Sequence, residues 1–155
     1  MSAPPLPPFW SLVEAHGDEL LAHARRMAGP DHAEDVLQDA FLRALRAYPR
    51  LRHGQHLRAW LFRVTTTAAI DSHRSRRREL PVQELPPIAV EDDYDAGAFE
   101  HLISPLPETS RAALRLRFVD DLDYEGIATR LGCSPEAARQ RVSTAVRNLR
   151  ERHAA

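Results

Sequence analysis

The sequence predicts an all-α protein built as two small helical domains joined by a flexible acidic linker. Apolar residues recur at helical spacing along most of its 155 residues. No segment alternates apolar and polar side chains beside a turn signal, so no strand is expected. An acidic stretch with five prolines between residues 79 and 107 interrupts the helical pattern, as a linker does. A chain of this length suffices for two small domains.

The charges are unevenly distributed along the chain. Residues 1–78 carry a net charge of +4, residues 79–107 of −7 and residues 108–155 of +2, while the total is −1. All 21 basic residues are arginines. Two basic modules on either side of an acidic tether favour nucleic acid as a partner, although chance variation of surface charge gives the same split. The expected boundaries are 9–78 for the first domain, 79–105 for the linker and 106–153 for the second.

The composition excludes several classes of protein. Hydrophobic residues make up 43% and charged residues 28%, which is typical of a globular chain and not of a disordered one. The single cysteine, Cys133, excludes an internal disulfide and a cysteine-rich zinc site. No apolar run approaches the length of a membrane span, and the first residues do not resemble a secretory signal. We therefore expect a cytoplasmic protein without membrane insertion.

Helix signals place three helices in the first half. Apolar spacing predicts a helix from Phe9 to Ala28, which Gly29-Pro30 ends. Asp31 is expected to open the second helix, with Glu34 completing a variant capping box, and Pro49 stops it. The third runs from Leu57 to an arginine cluster at residues 74–78, and the linker is expected to hold one helical turn near residues 99–103.

The C-terminal segment carries the sharpest motif. After a helix over residues 108–119, Asp123 can cap a helix over residues 124–131, and Gly132 suits a left-handed turn. Ser134 can cap the next helix with Pro135 in its first position, and that helix runs to residue 152. Two short helices joined by a three-residue glycine turn, with arginines and a glutamine outside, are typical of a helix-turn-helix. A plain helical hairpin with a solvated arginine face remains the alternative.

The third helix contains a second signal. Val64, Thr65, Thr66 and Thr67 are β-branched residues inside a helical pattern, which is locally unfavourable and often marks a functional surface. The loop at residues 52–56 and the arginine cluster flank them, which suits single-stranded or melted nucleic acid. Trp60 and the arginine cluster also have purely structural interpretations. Trp60 has the spacing of a core residue as well as a ring that could stack on a base, and the arginines can end a solvated helix, where they are favourable against its dipole.

Three segments together resemble a known family. They are Asp31 to Ala44 (DHAEDVLQDAFLRA), then AWLFRV at residues 59–64 with Ala69-Ile70-Asp71 and the arginine run, and finally Leu106-Pro107-Glu108 with RAAL at residues 111–114 and the helix-turn-helix. In order and spacing they resemble the polymerase-binding helix, the minus-ten helix and the minus-thirty-five domain of extracytoplasmic-function (ECF) sigma factors, a subfamily of the sigma-70 family. The resemblance covers residues 9 to 153.

The resemblance implies a role for each segment. In region 2, core RNA polymerase would be bound by Asp35, Gln38, Asp39, Phe41, Leu42 and Arg43. The minus-ten element would be bound by Arg52, His53, Gln55, His56, Arg63, Thr67, Asp71, Arg74, Arg76 and Arg77, with the loop over residues 52–56, Thr67 and Asp71 forming a pocket for a flipped base. In region 4, the minus-thirty-five element would be bound by Ser134, Glu136, Arg139, Gln140, Ser143, Thr144 and Arg147, the last on phosphate.

The implied function is that of a non-enzymatic specificity subunit that binds core RNA polymerase and promoter DNA and promotes transcription initiation. The family commonly has an anti-sigma factor as a further partner, and no cofactor or metal is implied. Thr67 departs from the asparagine often found there, and Ser143 and Thr144 are smaller than usual, so base preference does not transfer.

Two other classes of protein are alternatives to this function. A two-domain helix-turn-helix regulator would bind duplex DNA without touching the polymerase, and it would have no need of the surface at residues 31–48. An enzyme is disfavoured because no metal-ligand, triad or glycine-rich phosphate-binding pattern occurs, and the pair His53 and His56 is typical of a solvated loop.

Overall fold

The computed structural model describes residues 6–51, 54–77 and 94–154. Across these ranges the chain forms helices and turns without a strand, which confirms the all-α prediction. The helices are α1 (Phe9–Ala28), α2 (Ala33–Ala47), a short 3₁₀ turn (Tyr48–Arg50), α3 (Leu57–Arg77), α4 (Tyr94–Ile103), α5 (Glu108–Phe118), α6 (Tyr124–Leu131) and α7 (Pro135–Ala154).

The helix ends follow the predicted caps in most places. Gly29 ends α1 with φ 83°, and Gly132 ends α6 in the left-handed conformation with φ 69°. The Asp123 carboxylate accepts from the Gly126 backbone N–H at 2.8 Å, and Ser134 Oγ accepts from Ala137 N–H at 3.1 Å. The predicted capping box at the start of α2 is wrong. Asp31 lies in the preceding turn, and α2 begins at Ala33 without a side-chain cap.

The first three helices pack as a bundle around a continuous apolar core. Leu20 and Ala24 from α1, Val36 from α2 and Leu61 from α3 are almost completely buried. Trp60 is 3% exposed, so its indole is a core side chain and not a platform for a base. The bundle orients α2 with one face outward and holds α3 across the centre of the molecule.

Two of the three threonines on α3 are buried rather than available to a ligand. Thr65 Oγ1 and Thr66 Oγ1 each donate to the backbone carbonyl four residues earlier, at 2.8 Å. This local bonding satisfies their hydroxyls in the core, so the predicted functional surface does not include them. Thr67 is half-buried and bonds to the Arg63 carbonyl in the same way, at 3.0 Å.

A histidine that the sequence gave no reason to single out lies beside Thr66. His23 is fully buried, and its Nε2 is 2.7 Å from Thr66 Oγ1. Because that hydroxyl donates to Phe62 O, it accepts from the imidazole, which donates through Nε2. Burial, followed by the charges of Arg26 and Arg58, lowers the pKa of His23 to about 3.

The end of the predicted linker is a packed helix. In place of a single turn near residues 99–103, α4 extends over Tyr94–Ile103, and Phe99 and Ile103 are completely buried. Glu100 accepts two hydrogen bonds from the Arg115 guanidinium, at 2.7 and 2.9 Å, which hold the pKa of Glu100 below its usual value. Residues 78–93, which include most of the predicted linker, lie outside the described residues.

The last three helices form a second bundle that rests on the first. α7 packs against α5 and α6 through Ala138, Val142 and Leu149, and it also contacts α1 and α3. The buried residues of both halves form one continuous hydrophobic cluster. This arrangement places the exposed face of α2 and the first turns of α7 on the surface of one folded body.

Candidate partner and nucleic-acid surfaces

The outward face of α2 is a stripe of polar and apolar side chains. Asp35, Gln38, Leu42 and Leu45 follow at three- and four-residue spacing, so they share one side of the helix. Leu42 is 52% and Leu45 51% exposed, so this side of the helix presents two neighbouring apolar side chains to solvent. The exposure of Leu45 adds a second leucine to the surface that the resemblance assigns to the polymerase. We call these four residues the α2 stripe.

The other members predicted to bind polymerase turn away from the stripe. Phe41 and Asp39 are half-buried, and Arg43 is 7% exposed. The Arg43 guanidinium bonds to Asp71 on α3 at 2.7 Å and to Asp39 at 3.0 Å. Burial opposes its charge, but these two carboxylates outweigh burial and raise the pKa of Arg43. Arg43 therefore joins α2 to α3.

The residues predicted to bind the minus-ten element are spread along α3 and its preceding turn. Arg63, Thr67, Asp71 and Arg74 share a face, the first three half-buried and the last exposed. Arg63 donates through Nη1 to the Phe118 carbonyl, and Arg76 is exposed and bonds to Ser72 at 3.1 Å. Arg52, His53 and the side chain of Arg77 lie outside the described residues.

The structure does not assemble the predicted base pocket from the members that it describes. Gln55 and His56 are exposed at the beginning of α3. At a helical rise of about 1.5 Å per residue, Thr67 lies about 15 Å and Asp71 about 20 Å from the first residue of α3. Asp71 is also bonded to Arg43. Gln55 and His56 therefore lie at the opposite end of α3 from Thr67 and Asp71, and the pocket, of which Arg52 and His53 lie outside the described residues, stays a prediction.

The helix-turn-helix presents most of its predicted contacts together. The exposed residues are Ser134, which caps α7, then Glu136, Arg139, Gln140 and Ser143 in the first three turns of α7, and Arg147 one turn later. Thr144 is half-buried. A helix with arginine and glutamine in its first turns can enter a major groove and bond to base edges.

An aromatic ring of α6 lies beneath two arginines. The Arg139 guanidinium lies 5.0 Å from the Tyr124 ring centroid, and that of Arg117 lies 4.5 Å from it. Both distances allow cation–π attraction, which limits the side-chain freedom of Arg139 at the start of the recognition helix. The sequence places Tyr124 in α6 but does not show that Arg139 lies over its ring.

A cavity of about 240 Å³ lies between the two bundles. Glu19, Arg26 and Arg58 line it from the first bundle, and Arg117 and Ser143 from the second. Burial, followed by the charge of Arg58, lowers the pKa of Arg117. Ser143, predicted to read bases, therefore borders this cavity as well as solvent.

The described residues form neither a metal site nor a membrane-spanning helix. In the part of the chain that the structure describes, no group of three or more His, Cys, Asp or Glu side chains is placed to hold a metal ion. Among the same residues, no helix has both the length and the apolar character to cross a membrane.

Two family models match the chain. Residues 12–79 match sigma-70 region 2, and residues 96–149 match sigma-70 region 4. The first match contains α2 and α3, and the second contains the helix-turn-helix.

Curated relatives and a solved structure are also similar. An ECF RNA polymerase sigma factor, SigE, from Mycolicibacterium smegmatis is 30% identical over 93% of this chain, which spans only 61% of that relative's length. The ECF RNA polymerase sigma-E factor of Escherichia coli is 28% identical over 86% of this chain and 80% of the relative. The sigma factor RpoE of Bartonella quintana, solved with the anti-sigma factor NepR, is 25% identical with a TM-score of 0.46, covering 94% of this chain and 95% of that one.

The two matched segments are different regions of the same family, in the order that the helices follow. The chain therefore belongs to the sigma-70 family of RNA polymerase sigma factors. Within that family it is a member of the ECF group, to which both curated relatives also belong.

Proposed function

We propose that this chain binds core RNA polymerase, recognises the minus-ten and minus-thirty-five promoter elements, and promotes the initiation of transcription. The observation that carries the proposal is the presence of two different surfaces on one chain. The α2 stripe exposes two leucines beside polar groups, and the helix-turn-helix exposes arginine and glutamine on α7. A regulator that binds only DNA needs the second surface but not the first.

The proposal includes the location and the partners. The chain would act in the cytoplasm, where RNA polymerase works, as a binding subunit without catalysis of its own. Core RNA polymerase and promoter DNA are its partners, and an anti-sigma factor is a further expected partner on the family resemblance. The proposed contacts with polymerase are those of the α2 stripe, because Arg43 is bonded to Asp39 and Asp71.

In vitro transcription with core polymerase over a genomic promoter library tests the function. We expect specific transcripts that depend on this chain. Core polymerase that produces the same transcripts with and without the chain would contradict the proposal and favour a regulator that does not bind the clamp.

Substitutions on the α2 stripe test the assigned surface. Asp35→Ala with Gln38→Ala, and separately Leu42→Ala with Leu45→Ala, should each weaken the capture of core polymerase about tenfold or more, since interface residues that are buried on binding carry most of the affinity. All four side chains lie on the outer face of α2, so the thermal midpoint should change little.

Matched controls are available on α1. Asp18→Ala removes an exposed carboxylate, and Trp10→Ala removes an apolar side chain that is 64% exposed. Both controls should bind polymerase as the wild type does. Equal binding by the stripe variants and the controls would show that α2 does not contact the polymerase.

A further inference from the structure

One aromatic ring connects both helices of the helix-turn-helix with the helix that precedes them. The ring of Tyr124, the first residue of α6, has its centroid 4.5 Å from the Arg117 guanidinium of α5 and 5.0 Å from the Arg139 guanidinium of α7. A cation at either distance is attracted to the face of the ring. These three residues all belong to the second bundle, so the contact does not involve the helices of the first.

The fold of α6 determines where this ring lies. The Asp123 carboxylate caps the helix and fixes the first turn, which carries Tyr124. Ile127, one turn later on the same side, is completely buried, so the half-buried Tyr124 ring lies at the edge of the core. Arg117 donates to the Leu122 carbonyl at 3.0 Å, which holds its guanidinium beside the ring. The ring is therefore a supported surface on which a second side chain can rest.

Arg139 is the side chain that rests on this surface. It is exposed, while its neighbour Ala138 is completely buried where α7 packs on α5 and α6. An exposed arginine has many rotamers, and it loses that freedom when its planar guanidinium forms paired hydrogen bonds with a base. A ring that restrains the guanidinium before DNA arrives reduces this loss and strengthens the contact.

We propose that Tyr124 is a positioning residue that holds the Arg139 guanidinium ready for a base edge and thereby determines how strongly one minus-thirty-five base is preferred. The role rests on the proposed function, because it requires α7 to contact promoter DNA. Tyr124 acts on the base through Arg139, and Arg117 supports the ring from α5. The base concerned is the one at which Arg139→Ala relaxes the preference.

Two other roles of the ring predict different behaviour. If Tyr124 only fills the edge of the core, its replacement changes stability but not the preference for one base. If the ring instead holds Arg139 away from DNA, its removal strengthens binding. The positioning role alone predicts a loss of preference that is confined to one base and that requires Arg139.

The Nε–H signal of Arg139 in the isolated full-length chain tests the restraint. A proton above an aromatic ring is shifted upfield in the NMR spectrum, and relaxation of the nitrogen reports motion on the ps–ns timescale. We expect an upfield shift and restricted motion in the wild type and in Tyr124→Phe, and loss of both in Tyr124→Leu. Arg147, exposed on the same helix, is the control and should give the same signal in each protein. An Arg139 signal that is equal in all three proteins would overturn the proposal.

A double-mutant cycle on promoter DNA tests the effect on specificity. In the complex with core polymerase, Tyr124→Leu should reduce the preference at the Arg139 base about threefold, and Tyr124→Phe should retain it. In the Arg139→Ala background, Tyr124→Leu should have no further effect at that base, because the group that it positions is absent. Gln140→Ala is the matched control background, since Gln140 is exposed next to Arg139 and the threefold effect should persist there.

The outcomes separate the positioning role from its alternatives and from the function. Equal loss of preference in Tyr124→Phe and Tyr124→Leu, the same loss in the Arg139→Ala background, or tighter binding without the ring would each refute it. Tyr124→Met, which keeps apolar volume without a ring, provides the same test if thermal unfolding shows that Tyr124→Leu is unstable. A wild-type complex without any minus-thirty-five preference would contradict the proposed function and this role with it. A preference that none of the Tyr124 variants changes would keep the function and reject the role.

Discussion

His23 and Arg43 are both buried, and each keeps a titratable group among packed helices by a different means. His23 stays neutral, with one hydrogen bond to Thr66 and with the rings of Phe62 and Phe118 packed against it. Arg43 stays charged because two carboxylates, Asp39 and Asp71, bind its guanidinium. Neither environment follows from local sequence, because Thr66 and Asp71 come from α3. The stability of the protein should therefore depend on pH through His23, and it should fall when the charge of Arg43 is removed.

The stability of the protein should fall in mild acid because of His23. Its folded pKa of about 3 lies below the ordinary 6.5, so its contribution is present above pH 6.5 and is lost as pH falls toward 3. At pH 5 the loss is about 2 kcal/mol. Urea unfolding at pH 7 and pH 5 measures it. His23→Gln, which can donate to Thr66 but does not titrate, should lose about 2 kcal/mol less, and equal losses in both proteins would contradict this origin.

Arg43 is expected to contribute to stability more than to polymerase binding. Arg43→Met should lower the free energy of unfolding by about 2 kcal/mol, since it leaves Asp39 and Asp71 without their shared partner in a partly buried site. Arg46→Met, on the exposed side of the same helix, should change it by less than about 0.5 kcal/mol. Denaturant titration compares the two. A stable Arg43→Met protein with reduced polymerase binding would restore Arg43 to the polymerase surface.

At the scale of helices, the proposed function depends on two exposed faces, that of α2 for polymerase and that of α7 for promoter DNA. α2 exposes one stripe because its other side fills the first bundle, and α7 exposes its first turns because Ala138 and Val142 anchor it on α5 and α6. Arg139 is further restrained over Tyr124. Each face is therefore presented by a helix whose opposite side is fixed.

Substitutions on α7 should separate contacts with bases from general attraction to DNA phosphates. Arg139→Ala should cost about 1–3 kcal/mol at one minus-thirty-five position and relax the preference there. Arg147→Ala should weaken binding to all sequences alike and reduce the salt slope by about one. Binding of the polymerase complex to a panel of mutant promoters at several salt concentrations measures both effects. The same behaviour in both variants would show that α7 is oriented differently.

Local signals predicted the helices better than the surfaces. Proline, glycine and capping residues determine ends within a few residues of themselves, so α1, α6 and α7 begin where the sequence indicated. The sequence indicates only one turn where α4 has ten residues, because burial of Phe99 depends on Phe118, whose ring lies 6.2 Å away across the fold. The β-branched run on α3 was interpreted as a surface because the sequence does not show that Thr65 and Thr66 point inward.

For the molecule as a whole, charge and packing act together. The two basic halves share one hydrophobic cluster, and a net charge of −7 lies between residues 79 and 107. Acidic residues in this stretch can attract the cationic halves, most strongly at low salt. Glu91, Asp92 and Asp93, like the side chain of Asp95, lie outside the described residues. Their effect is therefore predicted from the sequence.

Neutralising Glu91, Asp92, Asp93 and Asp95 to Gln or Asn should raise DNA binding by the isolated protein about threefold or more at low salt. The matched control neutralises four exposed acids elsewhere, Glu14, Asp18, Asp31 and Asp120, for the same change in net charge. Gel-shift titration with promoter DNA compares the three proteins. An equal gain in DNA binding by the two neutralised variants would show that only the net charge of the protein matters. No gain in either variant would show that the acidic residues of the linker do not shield the basic halves and serve only to keep the linker soluble.

The contribution of Phe118 to the first bundle also has a consequence for synthesis on the ribosome. The ring that covers Phe62 and His23 is added 56 residues after Phe62 in the sequence. At translation rates of about 5–20 residues per second, the first three helices, which end at Arg77, are synthesised about 2–8 s before Phe118 is added. During that interval the Phe62 ring lacks the Phe118 ring that stacks on it, so we expect the nascent chain to be prone to aggregation.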